Sequence, residues 1–409
     1  MGSITRGSDS YRRINLAFFV AGFVIFITLY DMQPLLPIFT REFGLHAATG
    51  SLPLSAATCS LAIAMLFAGS LSESLGRKRI MVASLFATAT LALFTSFTHS
   101  FALLVALRLL QGVALAGLPA VAMAYLSEEM APSALTSAMG LYIAGNAIGG
   151  MTGRIFTATV AEQWSWRLAL TIIGVATLLL SAAFARLLPP SSDFRPRPFE
   201  VGYLFTSLFR QLRDPGLLCL YGISFLVMGS FVTLYNYITF RLLAPPYSLG
   251  HGRVSWIFLV YLAGSFSSSL VGRLVERFGR SRMLACCLAA MAAGGAVTLA
   301  QPVAVVVTGI GIFTCGFFGA HTIASSWVGA RAKSARAQAA SLYLFSYYLG
   351  SSVSGTAGGF LWSSRGWEGV IVLILALLAC AALLARRLTV LAAPAGEEVP
   401  AAAPTAVEG

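Results

Sequence analysis

The chain of 409 residues is 57% hydrophobic and 10% charged, and its mean hydropathy is +0.82. Since a soluble domain carries roughly 25% charged residues, this composition excludes a soluble globular protein and predicts a helical membrane protein whose apolar surface is covered by lipid. The net charge of +12 follows the loops between apolar runs, so it indicates membrane topology and not nucleic-acid binding.

Apolar runs long enough to cross about 30 Å of hydrocarbon follow one another along the chain. Twelve spans are predicted, at about residues 14–40, 48–70, 80–98, 101–126, 134–160, 166–188, 216–241, 253–275, 282–300, 303–330, 336–362 and 367–388. Residues 1–13 form a polar tail before them. The segment 389–409, rich in Ala and Pro, forms a second tail that is predicted to be disordered.

The longest polar connection, residues 189–215, divides the spans into two bundles of six, at 14–188 and 216–388. Within it, a stretch near 203–212 is expected to form an amphipathic surface helix. If both termini are cytoplasmic, 20 of the 27 Lys and Arg lie on the cytoplasmic side, six lie at outer helix ends, and Arg108 lies within a span. This bias predicts a multi-pass protein with both termini in the cytoplasm.

Three motifs recur at nearly one distance in the two halves. The loop after the second span returns 203 residues later, where Gly69, Glu73, Gly76 and Arg77 correspond to Gly272, Glu276, Gly279 and Arg280. Thr28–Asp31 matches Thr233–Asn236, and Gly145–Gly150 matches Gly350–Gly355, both 205 residues apart. A repeat of this period, carried by apolar helices, indicates two halves related by duplication.

Twelve spans, this duplication and the repeated loop resemble the major facilitator superfamily. The loop is similar to that family's Gly-x-Leu-x-Asp-Arg-x-Gly-Arg-Arg/Lys motif, although Glu73 replaces the Asp and Ser74 replaces the first Arg. The second copy keeps that Arg as Arg277. The fourth span carries Arg108-Leu-Leu-Gln111-Gly, which is similar to the family's Arg-x-x-Gln-Gly pattern.

The fifth span, with Gly145, Asn146, Gly149 and Gly150, is similar to the Gly-Pro-x-x-Gly-Gly pattern of proton antiporters, with Asn146 where that pattern has Pro. Over residues 14–388 the chain is most similar to the bacterial YnfM-type, arabinose-efflux-permease-like transporters. The resemblance implies an all-α polytopic protein of twelve transmembrane helices, built as two pseudo-symmetric six-helix bundles around a central cavity.

Asp31 and Arg108 are predicted to lie roughly 10–13 Å below the outer surface, in spans one and four. The resemblance implies that these spans line the same half of the cavity, so we expect the two charges to be coupled, with Asp31 binding and releasing the transported proton. A static ion pair that fixes helix packing is the alternative. Asn236, the repeat partner of Asp31, cannot titrate. His321 either relays protons or is a buried neutral histidine.

Polar and aromatic side chains on the spans that the resemblance places around the cavity are candidates for the solute-binding wall. They are Tyr30, Gln111, Asn146, Tyr235, Asn236, Tyr343 and Tyr347. Tyrosine offers apolar area, a hydroxyl group and a ring face for cations. The alternative for those near helix ends is anchoring at the membrane interface.

Two features are expected to control which side of the cavity is open. Gly145, Gly149 and Gly150 allow helices to approach closely and seal one side. The repeated loops are expected to latch cytoplasmic helix ends through Glu73 with Arg77 and through Glu276 with Arg280, beside Arg277. Separately, the neighbouring acids Glu128 and Glu129 lie at an inner helix end and are expected to be solvated.

No enzyme signature, P-loop or cluster of metal ligands stands out in the sequence, and the six cysteines lie in apolar runs, where small buried hydrophobes are expected. We therefore expect no cofactor, no metal and no nucleic-acid partner. The predicted function is export of a small organic solute in exchange for protons by alternating access, by a monomer in the inner membrane. The alternatives are proton-coupled or facilitated uptake of a sugar or organic acid, and a non-transporting membrane scaffold or receptor.

Overall fold

The computed structural model describes residues 4–5, 7–191, 201–332 and 335–392, and these are almost entirely helical. The first half contains α1 (Asp9–Tyr30), α2 (Leu36–Glu42), α3 (Ala47–Gly50), α4 (Leu52–Leu75), α5 (Arg77–Ser96), α6 (Phe101–Leu115), α7 (Pro119–Glu129), α8 (Pro132–Gln163) and α9 (Trp166–Leu187). The second half follows α10 (Val201–Gln211) and contains α11 (Pro215–Leu243), α12 (His251–Ser255), α13 (Val260–Phe278), α14 (Arg280–Val297), α15 (Val303–Arg331) and α16 (Arg336–Ala392). Single 3-10 turns, Gln33–Leu35 and Trp256–Leu259, join α1 to α2 and α12 to α13.

The described helices account for the twelve predicted spans. Eight segments are long and apolar enough to cross a membrane, namely Asp9–Glu42, Leu52–Leu75, Arg77–Ser96, Trp166–Leu187, Pro215–Leu243, His251–Phe278, Val303–Arg331 and Arg336–Leu391. The last of these contains two spans, because Gly366 turns the chain with a φ of 60° that favours glycine. The helices α6 with α7, α8, and α14 supply the remaining three. The predicted all-α fold is therefore confirmed.

The ends of the chain differ from the predicted tails. Ser8 caps α1 by accepting a hydrogen bond from the backbone N–H of Tyr11, so the helix begins at Asp9, within the predicted polar tail. Helix α16 continues to Ala392, so the start of the predicted disordered tail is helical. Residues 393–409 and 192–200 lie outside the described residues. The expected surface helix of the connection is α10.

The two halves repeat one packing scheme. Helix α1 packs along α8 as α11 packs along α16, and α4 packs on α6 as α13 packs on α15. The contacts repeat in detail, because Gly145 lies against the backbone carbonyl of Phe19 and Gly350 lies against that of Phe225, each too closely to admit a Cβ atom. The sequence repeat is thus a repeat of helix interfaces built on small residues.

We call the end of the bundle that holds the connection from α9 to α11 the linker side, and the opposite end the far side. The halves meet where α4 packs against α16 and where α8 packs against α12 and α13. On the far side, the Ser352 hydroxyl donates to the Ser55 carbonyl at 2.8 Å, and the hydroxyls of Thr356 and Ser55 lie 2.8 Å apart. The Gly252 N–H donates to Glu162 at 2.6 Å. These bonds join the two halves across the far side.

Candidate functional site

Asp31 and Arg108 form a buried ion pair inside the first half. Both residues are 0% exposed, and Nη1 of Arg108 lies 3.4 Å from Oδ1 of Asp31. Helix α1 ends at Tyr30 and a 3-10 turn follows at Gln33, so Asp31 lies at a break in its span. The second carboxylate oxygen, Oδ2, is buried and has no hydrogen-bond partner among the described residues. One oxygen therefore contacts the arginine, and the other is available to carry a proton.

Backbone carbonyl groups hold the Arg108 guanidinium more closely than the carboxylate does. Nη1 and Nη2 donate to the carbonyls of Thr28 and Leu29, both at 2.8 Å, and Nε donates to that of Pro53 at 3.3 Å. These carbonyls belong to α1, beside its break, and to the start of α4. The arginine thus ties α6 to two neighbouring helices, and it keeps these bonds if Asp31 is neutral.

Gln111, which the sequence assigns to the cavity wall, lies inside this network. It is 0% exposed, accepts from Nη1 of Arg108 at 2.6 Å, and donates to the Thr88 carbonyl of α5 at 3.2 Å. Because arginine can only donate, this bond fixes which end of the Gln111 amide faces Arg108. Gln111 therefore orients the arginine and connects it to α5.

Arg154 of α8 is a buried cation that sequence reasoning placed at an outer helix end. The structure instead places it between the two halves, 2% exposed. Its Cζ atom lies 4.0 Å from the ring centroid of Tyr30 in the first half, and 4.8 and 5.2 Å from those of Tyr261 and Phe258 in the second half. Nε donates to Gln33 at 2.6 Å. An apolar stretch on either side of Arg154 was the signal that could have marked it as buried.

Gln33 connects this arginine to the other half. Its Oε1 accepts from Arg154, so its Nε2 must face Asn236 of α11, to whose Oδ1 it donates at 2.8 Å. Asn236 is 0% exposed, and its Nδ2 has no partner among the described residues. The chain Arg154–Gln33–Asn236 therefore crosses the interface between the halves. Sequence analysis selected Asn236 but not Gln33 or Arg154.

The other residues of the second half that were predicted to line the cavity lie in two separate places. The hydroxyls of Tyr235 and Thr314 lie 2.7 Å apart, and Tyr235 is fully buried against neighbouring rings. The Tyr343 hydroxyl lies 2.9 Å from Nδ1 of His321, and the Tyr347 ring centroid lies 4.9 Å from that of His321. These last three residues line a small pocket between α11, α15 and α16. The structure thus brings His321 to Tyr343 and not to Asp31.

Asn146 and its neighbouring glycines form the interface of α8 with α1. The Asn146 side chain lies against Gly22, and Gly149 lies against the Phe23 carbonyl, in each case leaving no room for a Cβ atom. Gly150 lies close to Arg154, to which its carbonyl is hydrogen-bonded at 2.7 Å. These small residues therefore position Arg154.

In the first loop Arg77 has a closer partner in addition to the expected Glu73. Arg77 bonds Glu128 of α7, with Nη2 to Oε1 at 2.5 Å and Nε to Oε2 at 3.0 Å, whereas Glu73 lies 3.9 Å away. The expectation that both acids are solvated is therefore wrong for Glu129, which is 6% exposed, whereas Glu128 holds Arg77 with its own side chain half exposed. The physical reason is that α7 ends beside the start of α5.

The second copy of the loop lacks the expected latch in this structure. In the part of the chain that is described, Glu276 has no basic group within 4.0 Å, so it does not pair with Arg280 or Arg277. Gly76 and Gly279 end α4 and α13 with φ of 102° and 81°, a conformation that favours glycine. An added Cβ at Gly69 or Gly272 would meet no atom within 4 Å. The glycines that turn the chain are thus the second of each loop.

The cysteines are less uniformly buried than expected. Cys219 and Cys287 are buried, whereas Cys286 and Cys380 are exposed on the surface of α14 and α16. Neighbouring positions such as Cys286 and Cys287 point about 100° apart on a helix, so only one can face the core.

Comparison with known proteins agrees with this architecture. The Major Facilitator Superfamily profile matches residues 14–250 and 230–407. The uncharacterized MFS-type transporter YybF of Bacillus subtilis is 50% identical over 374 residues, 91% of this chain and 93% of that protein. The inner membrane transport protein YnfM of Escherichia coli is 43% identical over 385 residues, 94% and 92% of the two chains. The chain belongs to the major facilitator superfamily.

It is therefore a membrane transporter and not an enzyme. Among solved structures, a mutant form of the nucleoside transporter NupG matches with a TM-score of 0.72 at 14% identity, covering 92% of this chain and 99% of that one. A bacterial homolog of the human lysosomal transporter Spinster, in an inward-facing and occupied conformation, matches with a TM-score of 0.71 at 15% identity, covering 94% and 97%. At such identities these matches show the fold alone.

Proposed function

We propose that this transporter moves a small organic solute by alternating access and couples that movement to protons through Asp31. The observation that supports this is the one-sided contact of the buried pair: Oδ1 lies 3.4 Å from Arg108, and Oδ2 has no partner among the described residues. A charged carboxylate in a membrane interior is costly unless it is paired. A contact of 3.4 Å is long for a charge-assisted hydrogen bond. A small movement of α1 away from α6 would therefore weaken the pairing with Arg108 and favour the neutral, protonated form of Asp31.

The backbone bonds of Arg108 make this protonation compatible with a stable fold. The carbonyls of Thr28, Leu29 and Pro53 and the side chain of Gln111 continue to accept from the guanidinium when the acid is neutral. The pair therefore has two acceptable charge states in one framework. A conformation that opens one side of the protein can favour one of these charge states, which links the proton to the solute.

Alternating access would require the far side to open and close. Its bonds between halves, among them Ser352 to Ser55 and Gln33 to Asn236, are polar, and they can be exchanged for bonds to water. We propose that the linker side is cytoplasmic, because Lys and Arg accumulate there. We further propose that the protein works as a monomer in the inner membrane, and that it exports its solute in exchange for protons, as its resemblance to efflux permeases implies.

Proton-coupled uptake is a second candidate direction, and Arg154 favours it. When Asp31 is ionised, the buried charges of Asp31, Arg108 and Arg154 sum to one positive charge. Protonation of Asp31 leaves two, which would strengthen the binding of an anion. A proton and an anion would then bind together, as co-transport requires, whereas a cation would compete with the proton.

The experiment that tests the coupling is proton flux in liposomes that contain the purified protein and a pH-sensitive dye. Wild type is compared with Asp31→Asn and with Asp9→Asn, a control acid that is exposed at the start of α1. We expect solute-dependent proton movement in wild type and in Asp9→Asn, and its loss in Asp31→Asn. Solute flux without proton movement in the wild type would refute the coupling and indicate a facilitator.

The same liposomes decide the direction of coupling. When a transported solute is added outside, exchange moves protons outward and raises the internal pH. Co-transport moves them inward and lowers it. We expect a rise for export by exchange, and a fall would establish the second candidate.

A further inference from the structure

We infer that Arg154 binds the negatively charged group of the transported solute, and hence that the solute is a small organic carboxylate. The inference rests on the proposed transport function, and an anionic solute fits the second candidate direction, co-transport with protons, better than exchange. It arises from a buried guanidinium group that has no acidic partner and whose N–H donors are not all hydrogen-bonded.

The charge of Arg154 has no acidic partner. In the described part of the chain, no carboxylate lies within 4.0 Å of its guanidinium, although the residue is 2% exposed. Arg108, which is also buried, has Asp31 at 3.4 Å, and Arg167 at the far side has Glu42 at 2.8 Å. A buried charge without a counter-charge is unfavourable. An anionic ligand would supply the missing charge.

Hydrogen-bond donors around Arg154 are also incompletely used. Nε donates to Gln33 and Nη1 to the Gly150 carbonyl, whereas no described acceptor is bonded to Nη2. The hydroxyl of Tyr261, whose ring faces the guanidinium, is buried with no partner among the described residues. Arginine has donors and no acceptor, so a ligand here must accept, and a carboxylate accepts from a guanidinium edge with the favoured planar geometry.

The aromatic rings explain how the buried arginine is stabilised when no ligand is bound. Rings that face a guanidinium attract its charge through the π-electrons, as those of Tyr30, Tyr261 and Phe258 do here. They cover its faces and leave N–H groups at its edges for a planar anion. They also provide an apolar wall for the carbon skeleton of the solute.

Stacking on rings does not by itself make an anion site, as Arg241 shows. This arginine lies over the rings of Tyr247 and Trp367. Its two Nη atoms, however, are both bonded, Nη1 to the carbonyl of Thr298 and Nη2 to that of Ala300, beyond the end of α14. Arg154 differs because Nη2 of its stacked guanidinium has no bonded acceptor among the described residues.

The position of Arg154 connects ligand binding to movement of the halves. It lies in α8 of the first half, while Tyr261 and Phe258 belong to the second half. A carboxylate bound at Arg154 would therefore be contacted from both halves in this state and from one half after the far side opens. A solute bound in this way has different affinities for the two states, as alternating access requires.

The test is equilibrium binding to the full chain in detergent, by titration calorimetry, which requires neither transport nor protons. The probes are benzoate, lactate and succinate, each beside the uncharged amide of the same skeleton. The variants are Arg154→Gln, Arg154→Lys, Asp31→Asn and Arg167→Gln, the last being a matched control whose arginine also stacks on a ring, that of Trp166, but has its own acid. Circular dichroism and gel filtration establish that each variant is folded.

We expect at least one acid to bind wild type and Arg167→Gln at least about tenfold more tightly than its amide. Its affinity should fall at least about tenfold in Arg154→Gln and less in Arg154→Lys, which keeps the charge but loses the planar fork. Equal affinity for an amide, undiminished binding in Arg154→Gln, or no binding of any of the three acids would overturn the inference.

The result that would contradict the proposed function differs from the results that would overturn this inference. Carboxylate binding that depends on Arg154, without proton flux in the liposomes, would contradict the coupling through Asp31 and leave the site intact. Proton-coupled flux of an amine or a neutral solute would support the coupling and contradict the carboxylate site at Arg154.

Discussion

Oδ1 of Asp31 lies 3.4 Å from Nη1 of Arg108, whereas the carbonyls of Thr28 and Leu29 each accept from the same guanidinium at 2.8 Å. The arginine is thus bound more closely by the backbone than by the acid, while Asp31 has Arg108 as its counter-charge. The two members of the pair should therefore respond differently to substitution.

Arg108→Gln should destabilise the protein strongly, and Asp31→Asn should not. Removing the arginine leaves a buried carboxylate without a counter-charge and several carbonyls without a donor. The free energy of unfolding should therefore fall by about 3–5 kcal/mol. Removing the acid's charge leaves Arg108 without its counter-charge but still bonded to those carbonyls, so a smaller loss is expected. Thermal unfolding in detergent at neutral pH measures both effects.

The double variant Asp31→Asn with Arg108→Gln provides the control. It should be more stable than Arg108→Gln alone, because Asp31 is then not left as a buried charge without its partner. If the two losses simply add, the acid and the arginine are not coupled, and the ion pair is not the reason for the instability.

The small residues of the α1–α8 interface should not tolerate a methyl group. Gly145→Ala places a Cβ against the Phe19 carbonyl, which should cost about 1–3 kcal/mol through overpacking. Gly140→Ala, about one and a half turns earlier in α8, meets no atom within 4 Å and should stabilise the helix by up to about 1 kcal/mol. Thermal unfolding of both variants checks the difference, and equal melting temperatures would contradict this packing.

Glu128 should matter more than Glu73 to the α4–α5 loop. Arg77 makes two short bonds to Glu128 and a contact of 3.9 Å to Glu73. Because Glu128 is half exposed, Glu128→Gln should cost about 1 kcal/mol or less, and Glu73→Gln should have no measurable effect. Chemical unfolding of both single variants tests the order, and a larger loss for Glu73→Gln would show that the loop's own acid is the partner.

Asp214 should give the protein a stabilisation that depends on pH. Partial burial by itself would raise the pKa of this carboxyl group, but hydrogen bonds from Arg331 and from the backbone N–H groups of Leu217 and Gly216 lower it below its ordinary value of 3.8. A carboxyl whose pKa is lower in the folded state stabilises that state at pH values above its ordinary pKa. The stabilisation is lost as the pH falls through the lower, folded-state value.

Asp214→Asn isolates this charge, since Asn still caps α11 through its side-chain oxygen. We expect the variant to melt below wild type at pH 7. The difference should begin to shrink below about pH 4, where the carboxyl of the unfolded wild type becomes neutral, and should shrink further as the pH falls through the folded-state pKa. A difference that stays constant down to about pH 3 would show that the charge of Asp214 does not stabilise the fold.

The sequence by itself determined the twelve spans, the two-fold repeat and the family, because these depend on the length of apolar runs and on local motifs. Counting residues along each helix also predicted that Asp31 and Arg108 lie at a similar depth below the outer membrane surface. The tertiary structure alone decided that Arg77 meets Glu128, 51 residues away, and that Arg154 stacks on rings from both halves. In lipid an apolar helix face can point outward as well as inward, so hydropathy does not show which face is buried. Which side chains meet in the interior is therefore decided by the packing of small residues such as Gly145, and this packing depends on the whole bundle.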